Sequence, residues 1–529
     1  MNTRCSILSL INTSTRFLLI PLLVVIGFGG SNRASASSQA SGTTTPIKHV
    51  VVIFQENVSF DHYFGTYPHA KANNDGSHFF GSAKDDTPRV NSLESAGLLT
   101  NNPNKANPFR IDRSTPNTCD QDHDYGPEQA AFHGGLMDMF VEQTGCIDPI
   151  LGPNSVMGYF DGNTVTALWN YAQHFALSDN FFGTSFGPST PGALNLIAGN
   201  TFEATITNGL SAAGNIAGGA NSGAVIGDPD PGGDTCSNPT RTQITMSGQN
   251  VGDLLNKAGV TWGSFMGGFT NCTAKSTGIT GLTTGDYIPH HAWFQYWQST
   301  LNPNHTPRSS VALIGHAGDA ANHEYDINDF WDAVKAHNMP AVSFLKARAI
   351  QDGHPGYSDP LDEQQFLVTT INALEQTDEW KDTAVLITWD DSDGWYDHQM
   401  GPIVMQSNVS DDQLLGPGNC GTPKPVDAAG DIQNGRCGYG PRLPLLVISP
   451  YARQNYVDHR VTDQSSILRF IEDNWNLGRI GNGSTDATAG RLNGMFDFGP
   501  GQPTEALFLD PLTGQIKDQK PHGKDKGKG

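Results

Sequence analysis

The sequence predicts an α/β fold, a mostly parallel central sheet flanked by helices, with loop-rich insertions capping it. Three observations carry this. Val50–Phe54, Ala384–Trp389 and Leu443–Ile448 are apolar runs that are continuous rather than alternating, the pattern of parallel strands buried on both faces. Helix-like stretches such as Asp326–His337 and Glu363–Glu375 lie between these runs, and strands alternating with helices favour a parallel sheet. Each run stops at polar residues, and in such sheets the chemistry collects beyond the carboxyl ends of the strands.

The chain opens with Arg4 and Arg16 ahead of an apolar run, Phe17–Phe28, followed by Ala34-Ser35-Ala36, the small-x-small form of a signal peptidase site. That run is shorter than the about 20 residues of a membrane span, and Pro21 interrupts it. Residues 1–36 therefore read as an export signal, an uncleaved anchor being the alternative. Residues 37–46, rich in Ser, Thr and Gly, read as a flexible leader, residues 47–513 as the folded domain with its insertions, and residues 514–529 as a disordered basic tail. The stretches 70–160 and 200–290, rich in Gly, Asn and Thr, are the expected insertions.

The formal charge is −22, and it becomes −25 when Arg4, Arg16 and Arg33 leave with the signal. Such a surface excludes nucleic acid or an anionic membrane as a partner bound by charge alone. A site for an anionic substrate then needs a local positive source, which a metal ion supplies. Beyond the signal no stretch is apolar enough for a membrane span. Six cysteines follow Cys5, an even number that in an exported chain points to disulfides. Neighbour pairing is expected, Cys119–Cys146, Cys236–Cys272 and Cys420–Cys437, because each pair closes a loop within a Gly/Pro-rich stretch. None has CxxC spacing, which argues against a zinc-thiolate site.

Three places carry chemistry. The first strand runs into Gln55-Glu56-Asn57, where Glu56 and Asn57 offer hard oxygens suited to a divalent cation and Ser59 can cap a following helix. A second strand ends in Asp390-Asp391, within a segment that also holds Asp393, Asp397 and His398. Adjacent carboxylates after a buried strand are costly unless a positive group sits among them. Asp393 and His398 serve the same ion, a second ion or only the loop. The third place is Phe186–Gly192, where Pro191 suits the first turn of a helix and sets Ser189 and Thr190 at its N-terminus. Free amides and the helix dipole there favour a nucleophile that attacks an anion. His290, His291 and His354 sit in polar, Gly/Pro-bearing loops and are candidates for proton transfer or for holding substrate oxygens; His123 and Asp161 are weaker candidates of the same kind.

The run from Ile47 through Gly65, the Phe186–Gly192 segment, Trp389–His398 and Arg442–Tyr451 together resemble, in order, the motifs of the bacterial phosphoesterase family, which groups secreted acid phosphatases with phospholipases C in the alkaline phosphatase superfamily. The resemblance spans about 46 to 480 and implies an alkaline-phosphatase-like fold. It implies Glu56 and Asn57 as the first pair of metal ligands, Asp390 and Asp391 as the second, and Ser189 as the nucleophile completing the coordination. His290, His291 and His354 then line the phosphate pocket as catalytic residues, with His123 and Asp161 binding substrate. One divalent ion is implied, calcium, zinc or another. Phospholipase members commonly have Asn-Arg after the motif's proline; Gly192-Ala193 here, with serine as nucleophile, favours the acid-phosphatase branch acting on phosphate-ester small molecules over cleavage of phospholipid head groups. A sulfatase is disfavoured because no arginine follows Pro191 at the required place. A non-catalytic calcium-binding surface protein is the reading of another class.

Overall fold

The computed structural model describes residues 42–209, 213–217, 222–422, 434–501 and 503–517. The predicted signal, the first half of the leader (37–41) and the tail beyond 517 lie outside the described residues.

Nine strands form the central sheet: β1 (His49–Gln55), β2 (Ala176–Phe182), β3 (Trp262–Met266), β4 (Glu324–Asp326), β5 (Val342–Lys346), β6 (Thr383–Trp389), β7 (Arg442–Ile448), β8 (Tyr456–Asp458) and β9 (Thr462–Asp463). Their order is β4-β3-β5-β1-β6-β7-β2-β8, with β9 also on β2. β1 lies parallel between β5 and β6, with Val50 opposite both Val342 and Ala384. Every residue of β5, β6 and β7 is buried, so both faces of the sheet centre are covered, as the continuous apolar runs require.

The third predicted parallel strand, Leu443–Ile448, is corrected in direction: β7 runs antiparallel to β6 and to β2. A continuous apolar run reports burial on two faces and carries no information about direction. Pro444 has no amide for the ladder, and the β7–β2 register shifts around it, between Leu443 and Leu445, while its carbonyl accepts from Thr388 Oγ1 at 2.9 Å.

Five helices matter for the site: α1 (Phe60–Phe64), α2 (Ser189–Ala198), α3 (Ile327–Lys335), α4 (Pro360–Leu374) and α5 (Gln464–Trp475). The stretch Asp326–His337 becomes α3, with Asp326 outside it as the cap that accepts from Asn328 N. α4 starts ahead of the expected Glu363 because Asp359 caps it and Pro360 fits its first position. Ser59 caps α1 by accepting from His62 N at 3.2 Å.

The insertion assignment holds only in part. Residues 204–246 contribute a separate five-stranded sheet, but Trp262–Met266, inside the expected insertion 200–290, is the core strand β3. Its glycine and short length hid it from a run-based reading. The leader is corrected over its described residues: Thr44 N bonds to Asn474 O at 2.8 Å and Thr45 Oγ1 to Asn474 Oδ1 at 2.7 Å, tying it to the end of α5. Residues 514–517 likewise fold back, Ile516 pairing with Leu509, so the domain extends past 513. All three neighbour disulfides are formed.

Candidate active site

β1 and β6 end level with one another, Gln55 opposite Trp389, so the residues that follow leave adjacent strand ends. Two backbone bonds keep the two exits together, Asp390 N to Gln55 O at 3.2 Å and Val58 N to Asp391 O at 2.9 Å, and a third, Glu56 N to Asp352 O at 2.9 Å, ties the β1 exit to the segment after β5. Asn57 N also donates to Asp390 Oδ1 at 3.0 Å. Asn57 holds the left-handed conformation (φ 64°), which asparagine tolerates better than most residues and which turns its side chain back over the exit.

β2 brings the third piece. It lies parallel to β1 and β6 across β7, so its carboxyl end opens on the same side, and α2 begins at Ser189 after a short loop. Ser189 Oγ donates to Glu56 Oε2 at 3.0 Å, joining positions 133 residues apart. Gly192 makes this approach possible: a Cβ there would lie 2.3 Å from the Asp390 carbonyl oxygen, so the first turn of α2 rests directly on the backbone of the acidic pair. The Gly192-Ala193 departure noted in the sequence thus has a packing reason.

Glu56, Asn57, Ser189, Asp390 and Asp391 are all buried. Among the described residues Asn57 Oδ1 and Asp391 Oδ2 have no hydrogen-bond partner, although both are sealed from solvent. Burial, and then the neighbouring Asp390 carboxylate, push the Asp391 carboxyl well above its ordinary value. Buried oxygens without partners and acids that resist ionising are what a cation would relieve. The donor set is all oxygen, carboxylate, amide and hydroxyl, and it fits a divalent ion with a preference for hard ligands.

Around this centre lie the histidines. His291 Nδ1 is 3.1 Å from Glu56 Oε1, and its ring is buried. His290 packs edge-on against it with centroids 4.5 Å apart and stands between two acids, 3.7 Å from Asp230 and 4.0 Å from Asp228. His354 is fixed by Nδ1 on the Pro355 carbonyl at 2.6 Å, and burial lowers its pKa to about 4, so it is neutral at physiological pH with Nε2 left as an acceptor. His123 sits edge-on to His354 with centroids 6.0 Å apart, and its Nε2 is 3.4 Å from Asn57 Nδ2. Burial opposes the charged form of His123, but Asp391, Asp393 and Asp120 outweigh it and hold the pKa well above the ordinary value. Asp393 joins this group by accepting from Asn57 Nδ2 at 3.0 Å and Gln121 N at 3.2 Å.

One expectation is corrected and one is narrowed. Among the described residues Asp161 makes no contact with the site; it accepts from Arg110 Nε at 2.6 Å and from the Lys71 and Asn163 amides, a local cage that occupies its carboxylate. His398 stands apart from the Asp390–Asp391 centre: its Nδ1 is 2.5 Å from Asp61 and 3.3 Å from Arg442 Nη2, and of the roles open to it the second ion remains, since it groups with Asp61 and Asp397. Position within Trp389–His398 could not give the fate of His398, because the segment turns back on itself at Asp393 (φ 55°).

Several residues at the site were missed. Lys346, the last residue of β5, is buried with its Nζ against Glu56 Oε1. Burial pulls its pKa below the ordinary value while Asp390, Asp352 and Asp391 act the other way. Asp352 groups with Glu56 and His291, and Glu128 links the two loops by accepting from Ser392 Oγ at 2.6 Å and Gly187 N at 3.1 Å. Asp228 receives Thr190 N at 2.9 Å. A lone lysine closing the buried run Val342–Lys346 was the one available signal.

The sequence profile of the Phosphoesterase family matches residues 47–478. The non-hemolytic phospholipase C of Pseudomonas aeruginosa is 26% identical over 444 residues, covering 82% of this chain and 55% of that protein. Phospholipase C A of Mycobacterium tuberculosis is 24% identical over 505 residues, covering 92% of this chain and 84% of that protein. The chain thus spans little more than half the length of the Pseudomonas relative. Among solved structures, a protein in the alkaline phosphatase superfamily from Vibrio parahaemolyticus is similar at TM-score 0.30 and 11% identity, over 85% of this chain and 73% of that one. With the family profile covering most of its length, this chain belongs to the Phosphoesterase family.

Proposed function

We propose that the chain is a secreted, metal-dependent phosphoric-ester hydrolase that attacks phosphorus with Ser189 Oγ and proceeds through a phosphoserine. The observation that carries this reading is the 3.0 Å contact of Ser189 Oγ with Glu56 Oε2 at the start of a helix, beside Asn57 and the Asp390–Asp391 pair. Glu56, Asn57, Asp390 and Asp391 hold one divalent cation, calcium, zinc or another, which when bound withdraws charge from the phosphate oxygens and favours the serine alkoxide.

The chain's own groups do the rest. The Ser189 proton passes to Glu56 Oε2 as the Oγ–P bond forms and the P–O bond to the alcohol breaks. His290, flanked by Asp228 and Asp230, protonates the departing alkoxide, with His291 and His354 lining the pocket; the neutral His290 ring then takes a proton from the water that attacks phosphorus, and Ser189 Oγ leaves with the proton held on Glu56. His123, kept charged by its acidic neighbours, holds phosphate oxygens. The substrates are phosphomonoesters of broad range, supported by the acidic surface and by Gly192-Ala193 in place of Asn-Arg. A second reading, phospholipase C action on phosphatidylcholine-type lipids, is favoured by the names of the relatives. Export is supported by the N-terminal signal pattern and the three disulfides.

The test compares p-nitrophenyl phosphate with p-nitrophenylphosphorylcholine, before and after chelation and metal add-back. Turnover of the choline ester alone reverses the substrate ranking. Ser189→Ala should remove hydrolysis while leaving the unfolding temperature within a few degrees; undiminished function in that variant would favour the non-catalytic calcium-binding reading instead.

A further inference from the structure

Lys346 has no place in the mechanism above, yet it is among the most enclosed charged groups of the protein, its side chain 3% exposed at the carboxyl end of a central strand. β5 is the neighbour of β1, which puts the Lys346 ammonium directly on the carboxylate that also receives Ser189. The two oxygens of Glu56 are divided: Oε1 faces Lys346 and His291, and Oε2 faces Ser189 Oγ. Asp390, Asp391 and Asp352 lie close enough for their charges to act on the ammonium. On the other side, the Phe54 ring lies 5.7 Å from Nζ.

A buried ammonium is retained against its desolvation only where acids surround it. The three carboxylates of the proposed ion site, Glu56, Asp390 and Asp391, carry one more negative charge than a divalent cation cancels. A phosphate ester would then meet a net anionic centre; the lysine cancels that surplus.

We propose that Lys346 is the fixed counter-charge of this site, which lets one divalent cation and an anionic phosphate occupy it together. This deepens, and rests on, the phosphoester reading. Its role is exerted through Glu56 and the acidic pair, which makes it a positioning residue. The proposal carries opposite signs for the two ligands. Removing a positive charge relieves repulsion on the cation and so tightens it, and the same removal exposes the phosphate to uncompensated carboxylates and so weakens it.

The test uses the full chain stripped by chelator, with Lys346→Met and Lys346→Gln. Zinc and calcium alone are titrated calorimetrically into wild type and variants, and inorganic phosphate is then titrated into each metal-loaded form. The expected result is cation binding at least as tight as in wild type and phosphate binding weakened by about tenfold or more, in both variants. Lys346→Gln keeps a hydrogen-bond donor and loses only the charge, so it also serves if the methionine variant does not fold. Weakening of both ligands, or phosphate binding equal to wild type in the glutamine variant, overturns the counter-charge role in favour of a structural one. Wild type that takes up neither metal, or no phosphate once loaded, sinks the phosphoester reading itself, and the proposal with it.

Discussion

Replacing Arg442 with methionine should destabilise the protein severely, because this guanidinium holds together the two segments that carry the acidic pairs. It is fully buried, and all its donors are used: Nε bonds to Asp397 at 3.0 and 3.1 Å, Nη1 to the carbonyls of Asn91 and Asp179 at 2.8 and 3.0 Å, and Nη2 faces Asp61 at 3.1 Å. Its plane also lies 4.3 Å over the Phe60 ring. Asp61 belongs to α1, just after Glu56-Asn57, while Asp397 closes the loop that begins at Asp390-Asp391. Methionine fills much of the volume but takes the guanidinium from two buried carboxylates, leaving Asp61 to His398 and Asp397 to the Asp61 and Gln399 amides, and loss of one partner from a buried ion pair typically costs about 3–5 kcal/mol. That is a large part of a native stability of about 5–15 kcal/mol. Urea unfolding with disulfides intact, followed by tryptophan fluorescence, reads the change as a shift in midpoint; Trp389 and Trp395 are buried beside the cluster. A triple variant, Arg442→Met with Asp61→Asn and Asp397→Asn, removes the stranded charges and should recover at least half of the loss. A single variant that loses less than about 1 kcal/mol, or a triple variant no better than the single, would refute the reasoning.

Two further outcomes follow from particular contacts. Gly192→Ala forces a Cβ onto the Asp390 carbonyl, a backbone atom that cannot swing away, so α2 must shift; overpacking of this kind costs about 1–3 kcal/mol, and hydrolysis should fall by about 10²-fold, checked by kcat and thermal unfolding together. Burial raises the Glu375 carboxyl from its ordinary 4.5 to about 7, with Leu507 N as the only donor to its oxygens among the described residues. The folded form binds its proton more tightly than the unfolded chain, so stability is highest below pH 4.5 and declines as pH rises toward 7, where the folded form also ionises. Glu375→Gln should therefore raise the unfolding temperature at pH 8 and leave it unchanged at pH 4.5; an equal change at both pH values would show that the carboxyl's ionisation is not responsible.

How much was legible in the sequence depended on whether the signal was local. Val50–Phe54 and Ala384–Trp389 announced themselves because strands covered on both faces must be apolar throughout, and the polar residues that end them mark where solvent or a ligand begins. Pro191 behind Ser189 similarly marked a helix start. β2 and β3 escaped notice, since Ser178, Asp179 and Asn180 interrupt one and a glycine the other. Asp179 is paid no attention by an apolar-run reading, yet it is buried, fixed by His459 and the Asn91 amide.

By itself, then, the chain's order of residues determined the sheet class, the start of α2, the cysteine pairs as neighbours and the chemical types able to hold a cation, because each of these is decided within a few positions along the backbone or by residue chemistry alone. Tertiary structure decided the rest. The direction of β7, the removal of Asp161 and His398 from the centre, and the arrival of Lys346 on Glu56 all depend on which strand lies beside which. Strand order is set by long-range packing over hundreds of residues, and no local pattern records it.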